Sequence, residues 1–205
     1  MENIEEIRKG NKVLRIFRDE NPESPREWDN LGKIAYKHKD YTIGEEEINE
    51  PIEWLEEKLN LNQKEVYTDD RLKELEEIFF KKFIALPLYL LDHSGLSIST
   101  TPFSCAWDSG KVGYIYLTKE KLKEEKLNKE NALKCLEGEI KTLNQYLLGE
   151  VYGFNVIEEI KVKVIKKYPN GKIIETTETE EKDWFSCWGY FGNEGIKQIK
   201  EENNF

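Results

Sequence analysis

Two long β-rich runs, 151–167 and 172–179, stand on either side of Tyr168-Pro-Asn-Gly171. Asn-Gly between alternating runs is the strongest short-range hairpin signal, because both residues accept the positive φ of a tight turn. This stretch is therefore committed to antiparallel sheet, with a β-hairpin protruding near 162–179. Lys161, Lys163, Lys166 and Lys167 on one arm and Glu175, Glu178, Glu180 and Glu181 on the other predict a solvated ribbon with cross-strand ion pairs. The aromatic segment Trp184-Phe-Ser-Cys-Trp-Gly-Tyr-Phe191 needs burial or cover, and a short helix from about Asn193 ends the chain.

Upstream, Ile4 to Lys9 suits a short helix stopped by Gly10, and Lys12 to Arg18 alternates apolar and basic residues as a first strand does. Two prolines and several turn formers make 19–30 a loop, with Trp28 as a plug over the core. A short strand is expected at 32–36. Pro51 sits where a helix can begin, and Ile52, Leu55 and Leu59 give that helix an inner side. A second helix is capped by Asp69, with Leu72, Leu75, Phe79 and Phe83 at helical spacing and Lys73, Glu77 and Lys81 as an exposed row. Ile84 to Leu91 reads as buried sheet in which Pro87 marks an edge or a bulge, and further strands are expected at 96–100 and 112–118. After a helix near 119–127 comes the clearest one, 129–148, where Leu133, Leu136, Ile140, Leu143 and Leu147 form a core-facing stripe and Gly149 is the stop.

At 205 residues and 38% hydrophobic, the chain holds enough apolar material for one core of ordinary size or two small ones. With no low-complexity linker, the economical architecture is a single α+β domain over 1–205, an antiparallel sheet with several packed helices. No apolar run approaches the roughly 18 residues of a membrane span, and the first residues lack the halves of a signal peptide. A cytoplasmic protein without membrane contact is expected. Cys105, Cys135 and Cys187 are too few for a disulfide scaffold and are read as thiols, small core residues beside aromatic rings.

Charge is confined. Residues 1–39 carry +1, residues 40–77 carry −10 and residues 78–205 carry −1. Residues 40–77, the bulk of the acidic helical segment 40–83, thus account for the whole formal net charge, and Glu45, Glu46, Glu47, Glu53, Glu56, Glu57, Glu74 and Glu77 are the segment's candidate partner-binding residues. Such a surface repels phosphate, so bare nucleic acid is not an expected ligand, whereas a protein or ribonucleoprotein with a basic groove is. The plainer alternative is a pair of solvated helices whose charge keeps the protein soluble.

Residues 92–110 differ chemically from the rest, holding five of the seven serines, one of two histidines and one of three cysteines. Asp92, His93, Cys105 and Asp108 supply the types needed for a thiolate nucleophile with a general base, although no known spacing surrounds Cys105. A turn-rich hairpin that satisfies its own backbone groups explains the same residues. Phe103-Ser-Cys-Ala-Trp107 is echoed by Phe185-Ser-Cys-Trp188, which places two cysteines on neighbouring strands and, with His38 and His93, makes a formal zinc set. No pair has the spacing of a structural zinc site, so no metal and no cofactor are expected.

Asn21-Pro-Glu-Ser-Pro-Arg-Glu-Trp-Asp-Asn-Leu-Gly32, Leu86-Pro-Leu-Tyr, Asp92-His-Ser-Gly95, Pro102-Phe-Ser-Cys and Trp107-Asp-Ser-Gly110 together resemble a family of small acidic proteins carried by phages, plasmids and integrated elements. The resemblance continues through Asn144-Gln-Tyr-Leu-Leu-Gly-Glu-Val-Tyr-Gly153 and Ser186-Cys-Trp-Gly189, so it spans most of the chain. It implies a counter-defence role, inhibition of a CRISPR-Cas effector or a restriction enzyme, and carries over no catalytic residues. The expectation is an inhibitor that binds through its acidic surface. The alternatives are a small hydrolase or nuclease using the 92–110 loop and a phage adaptor that buries residues 184–191 against a partner.

Overall fold

The computed structural model describes residues 2–62, 67–105 and 107–205. In chain order the elements are β1 (Asn3–Lys9), β2 (Lys12–Arg18), a 3-10 turn (Pro25–Glu27), β3 (Lys33–Tyr36), β4 (Glu46–Glu47), α1 (Pro51–Leu59), α2 (Asp69–Lys82), β5 (Ile84–Asp92), β6 (Leu96–Ser99), β7 (Ser109–Leu117), α3 (Lys119–Glu124), α4 (Lys129–Leu147), β8 (Val151–Lys167), β9 (Ile173–Phe191) and α5 (Gly192–Glu202). The α+β class holds, built on two sheets. Internal contacts divide the chain into two compact units, residues 1–23 with 149–205, and residues 24–148.

The first unit is an antiparallel sheet in the order β1-β2-β8-β9 with α5 against it. Leu14 and Ile16 of β2, Tyr152, Phe154 and Val156 of β8 and Ile199 of α5 make its core. Residues 3–9 form a strand here and not the expected helix. Gly10, at φ 66, turns the chain back so that Lys9 pairs with Lys12, and the whole segment gains a ladder with β2. That pairing and the packing of Ile7 on the core outweigh a weak helical preference.

The Tyr168–Gly171 turn forms as expected, with the Gly171 amide donating to Tyr168 O at 3.0 Å and Gly171 at φ 81. β2 pairs with β8 only as far as Glu158, so beyond it β8 and β9 continue as a two-stranded ribbon. The expected charge pairing across it is not what the register brings. Lys161 and Lys163 lie opposite Thr179 and Thr177, while Glu178 and Glu180 lie opposite Val162 and Ile160. Of the two expected fates of the aromatic segment, burial is not the one found: β9 is an outer strand, and Trp184, Phe185 and Trp188 remain 51%, 50% and 39% exposed. Their cover is local. The Lys12 ammonium lies 3.6 Å over the Trp184 ring, Phe185 meets Phe154 edge-on, and the Trp188 indole lies on Gly153, where a Cβ would come within 2.0 Å of it.

The second unit is a three-layer stack. Its sheet runs β4-β3-β7-β5-β6, antiparallel except for the β3–β4 pair. Along β7 the side chains alternate: Ile115 and Leu117 face α4, where Ala132, Leu136, Ile140 and Leu143 are buried, and Tyr114 and Tyr116 face α1 and α2. Having helices on both faces is why β7 and β5 read as nearly continuous apolar runs. Pro87 is tolerated because β6 pairs with β5 only from Tyr89 onward, so on that side Pro87 stands at an edge. Thr68, not Asp69, caps α2, accepting from the Arg71 amide at 3.2 Å, and Asp69 starts the helix. Trp28 is 46% exposed, less of a plug than its size suggested.

A guanidinium locks the loop before β3. Arg26, whose side chain is 10% exposed, meets Glu45 at 2.7 Å and Glu139 of α4 at 3.1 Å, and donates to Gly32 O at 2.8 Å. Glu139 also accepts from the Leu31 amide at 2.7 Å, and Glu45 accepts from the Ile34 amide at 2.6 Å. Replacing Arg26 by Ala leaves two carboxylates uncompensated, and Arg26→Lys removes the fork that spans them. Urea unfolding should show a loss of about 3 kcal/mol for Arg26→Ala and roughly 2 kcal/mol for Arg26→Lys. Lys134→Ala, which breaks an exposed pair with Glu130, should leave the midpoint unchanged.

Candidate functional site

The four polar-loop candidates come together in the second unit. The β5–β6 turn carries Asp92 and His93, with Ser94 at φ 56, and the segment entering β7 carries Cys105 and Asp108. The two are joined through the backbone, the Asp92 amide donating to Asp108 O at 2.9 Å. Asp108 is the centre of the cluster. Its Oδ2 lies 2.8 Å from His93 Nδ1 and accepts from Cys105 Sγ at 3.5 Å. Ser109 Oγ donates to Cys105 O, which closes the turn. Asp92 Oδ2 accepts from the Tyr41 hydroxyl at 3.1 Å, and this bond raises the Tyr41 pKa. A shallow recess of about 400 Å³ adjoins the cluster, bounded by His38, Asp92, Trp107 and Asp108. Trp107 is 97% exposed beside it, while Ala106 lies outside the described residues.

The chemical order of this chain is Cys–Asp–His. A thiol nucleophile with an imidazole base needs thiol and ring in contact and the carboxylate behind the ring. Here the carboxylate stands between them, so it is Asp108 that takes the thiol hydrogen bond while His93 supports Asp108. The sequence placed these types in one loop but not in this order.

The acidic candidates divide into two groups. Glu56 is fully buried and bound by Arg71, whose Nη2 lies 2.7 Å away, so it is closed to any partner. The same guanidinium reaches Glu74 at 2.8 Å. Glu45 belongs to the Arg26 lock. Glu46 accepts from the Tyr116 hydroxyl at 2.9 Å and pairs with Lys58 at 2.8 Å. Glu53 accepts from the Tyr67 hydroxyl at 2.6 Å but remains exposed, as do Glu47, Glu57, Glu74 and Glu77, the last 3.8 Å from Lys81. Asp69 and Asp70 at the start of α2 are exposed as well.

The three cysteines are not core residues. Cys135 and Cys187 are exposed and Cys105 is half-buried. Cys187 lies on β9 and Cys105 in the segment before β7, on no neighbouring strands. Among the described residues no group of three or more His, Cys, Asp or Glu is placed to hold a metal ion, and no helix is long and apolar enough to cross a membrane.

One feature escaped sequence reading. Lys58 and Glu46 sit against Tyr116 in the wall of a cavity of about 510 Å³, and nothing in their spacing marks them as neighbours. Burial pushes the Tyr116 hydroxyl up to about 12, with Lys58 opposing and Glu46 adding to the shift. For Glu46, burial acts to raise the pKa, but Lys58 and Tyr116 outweigh it and the net direction is down. A carboxyl whose pKa falls on folding contributes stability above its unfolded pKa, about 4.3, and loses it as pH drops through the folded value. Urea midpoints measured from about pH 6 down to about pH 3 should therefore fall less steeply for Glu46→Gln than for the parent chain. No family model, no curated protein and no solved structure matches this chain.

Proposed function

We propose that the protein is a counter-defence inhibitor that binds a host nucleic-acid-targeting complex, a CRISPR-Cas effector or a restriction enzyme, through the carboxylates of α1, α2 and their flanks. The observation that carries this reading is the set of exposed acids, Glu47, Glu53, Glu57, Asp69, Asp70, Glu74 and Glu77, within the stretch of chain that holds the formal net charge. Effectors of this kind hold guide and target in positively charged channels, so a rigid acidic face competes for the same ground. Its attraction is long-ranged and screened by salt over about 10 Å at 0.1 M. Bare nucleic acid, which such a face repels, is not the ligand. The site of action is the host cytoplasm.

The test is inhibition of guide-loaded effectors and restriction enzymes by purified protein, following DNA cleavage and RNA integrity together. Inhibition should appear near one-to-one with the nucleic acid intact, and should weaken between about 50 mM and about 300 mM salt. Reversing Glu53, Glu57, Glu74 and Glu77 to Lys, with buried Glu56 left alone, should weaken it about a hundredfold. Undiminished inhibition by that variant would sink the acidic-face reading.

A second reading, a small hydrolase or nuclease, draws support from the contact of Cys105 and His93 with one carboxylate oxygen of Asp108. It predicts activity far below one-to-one or shortened RNA, abolished by Cys105→Ala and His93→Ala with the fold intact. Full inhibition by both variants excludes it.

A further inference from the structure

The cavity of about 510 Å³ in the second unit has the size of a small-molecule site. It opens where β3 begins and β7 ends, beside α1, α3 and the loop at Asn30 and Leu31. Leu31, Phe83 and Leu117 give it apolar walls, and the Tyr116 ring forms part of the lining. Those walls are held from behind: Phe83 meets Tyr116 edge-on at 5.5 Å, and Lys33 is the cross-strand neighbour of Tyr116.

The lining charge runs against that of the chain. Three lysines, Lys33, Lys58 and Lys121, line the cavity with a single carboxylate, Glu46, in a protein of net charge −10. Glu46 is engaged by Lys58 and by the Tyr116 hydroxyl, so its own charge is compensated within the wall. Lys121 pairs with Glu125 at 2.7 Å, both partly exposed. Lys33 is exposed and acts on Glu46 only through its charge, with no close ion pair among the described residues. An ammonium has three donors, so Lys58 keeps hydrogen-bonding capacity beyond Glu46. Apolar walls with cations at the rim select a ligand with an apolar body and a negative head.

We infer that this cavity binds a small organic anion, a carboxylate or phosphomonoester carried on an aromatic or aliphatic body, with the body against Phe83 and Leu117 and the head between Lys33 and Lys121. The site is separate from the acidic face and from the Cys105 cluster. Its occupancy does not depend on any macromolecular partner.

Titration of the full chain with octanoate and with adenosine 5′-monophosphate, read by amide chemical shifts and calorimetry, tests this directly. The expected result is saturable binding of at least one of the two, with shifts centred on 31–33 and 116–121. Which of them binds more tightly assigns the head group as carboxylate or phosphate. Adenosine, octanol and inorganic phosphate, each lacking the head or the body, should bind at least about tenfold more weakly. The double variant Lys33→Gln/Lys121→Gln removes two cations from the rim and leaves the Lys58–Glu46 contact in place, and should lose about tenfold in affinity with little change in the urea midpoint. The inference is overturned if neither anion saturates, if the neutral analogues bind as well, or if the double variant binds like the parent. None of these outcomes bears on inhibition of a defence complex, so the two readings fail independently.

Discussion

The second unit depends on one guanidinium. Its loop at 24–32 has no regular ladder to satisfy its backbone, and a loop lying against a helix cannot leave buried amides unpaired. Arg26 solves this by gathering Glu45 from the approach to β4 and Glu139 from α4, which then take the Leu31 and Ile34 amides. The planar fork is essential, since two carboxylates from distant parts of the chain must be met at once in fixed directions. The lock fixes where β3 begins, and β3 sets the position of β7 and through it both helical layers. Gly113 is the tight point of that junction: a Cβ there would come within 2.0 Å of Ala35 O.

On the far side of the same sheet the packing is aromatic. Trp54 stacks on Tyr114 at 5.6 Å, and Phe79 lies 5.2 Å from Tyr114 and 5.6 Å from Tyr116. Tyrosines in such a layer need partners for their hydroxyls. Tyr114 donates to Glu76 at 2.6 Å and Tyr116 to Glu46 at 2.9 Å. Part of the acidic segment therefore exists to satisfy the core of its own unit. The carboxylates left over, on the outer faces of α1 and α2, are the ones available to a partner.

Features that depend on local spacing were legible in the sequence. The Asn170-Gly171 turn, the start of α1 at Pro51 and the buried stripe of α4 all follow from period and turn chemistry. Within α4 the buried set is Ala132, Leu136, Ile140 and Leu143, with Leu133 and Leu147 at the margin, a small rotation of the expected stripe. What escaped depended on pairing across the chain. β1 looked helical because its ladder with β2 is invisible until Gly10 is understood as a turn and not a stop. For Trp184 and Trp188 the sequence left burial and cover open, because nothing local reveals that β9 is an outer strand. Cys105 and His93 were placed in one loop by composition, yet the position of Asp108 between them is a matter of three-dimensional geometry.

Helix α1 shows why counting charge along a sequence does not locate a surface. Within one short helix, Glu53 and Glu57 are four residues apart and both exposed, Glu56 turns inward to Arg71, and Lys58 lies 5.5 Å over the Trp54 ring with its ammonium at Glu46. A period of 3.6 residues sends adjacent charges in directions about 100° apart. Glu56 and Glu57 are thus indistinguishable by sequence and opposite in environment, one closed to any ligand and one open to solvent. The same sorting puts Lys58, from the most acidic segment of the chain, into the wall of a cavity lined by three lysines and one carboxylate. Net charge by segment measures the field felt at a distance, and helical phase decides which charges a ligand can touch.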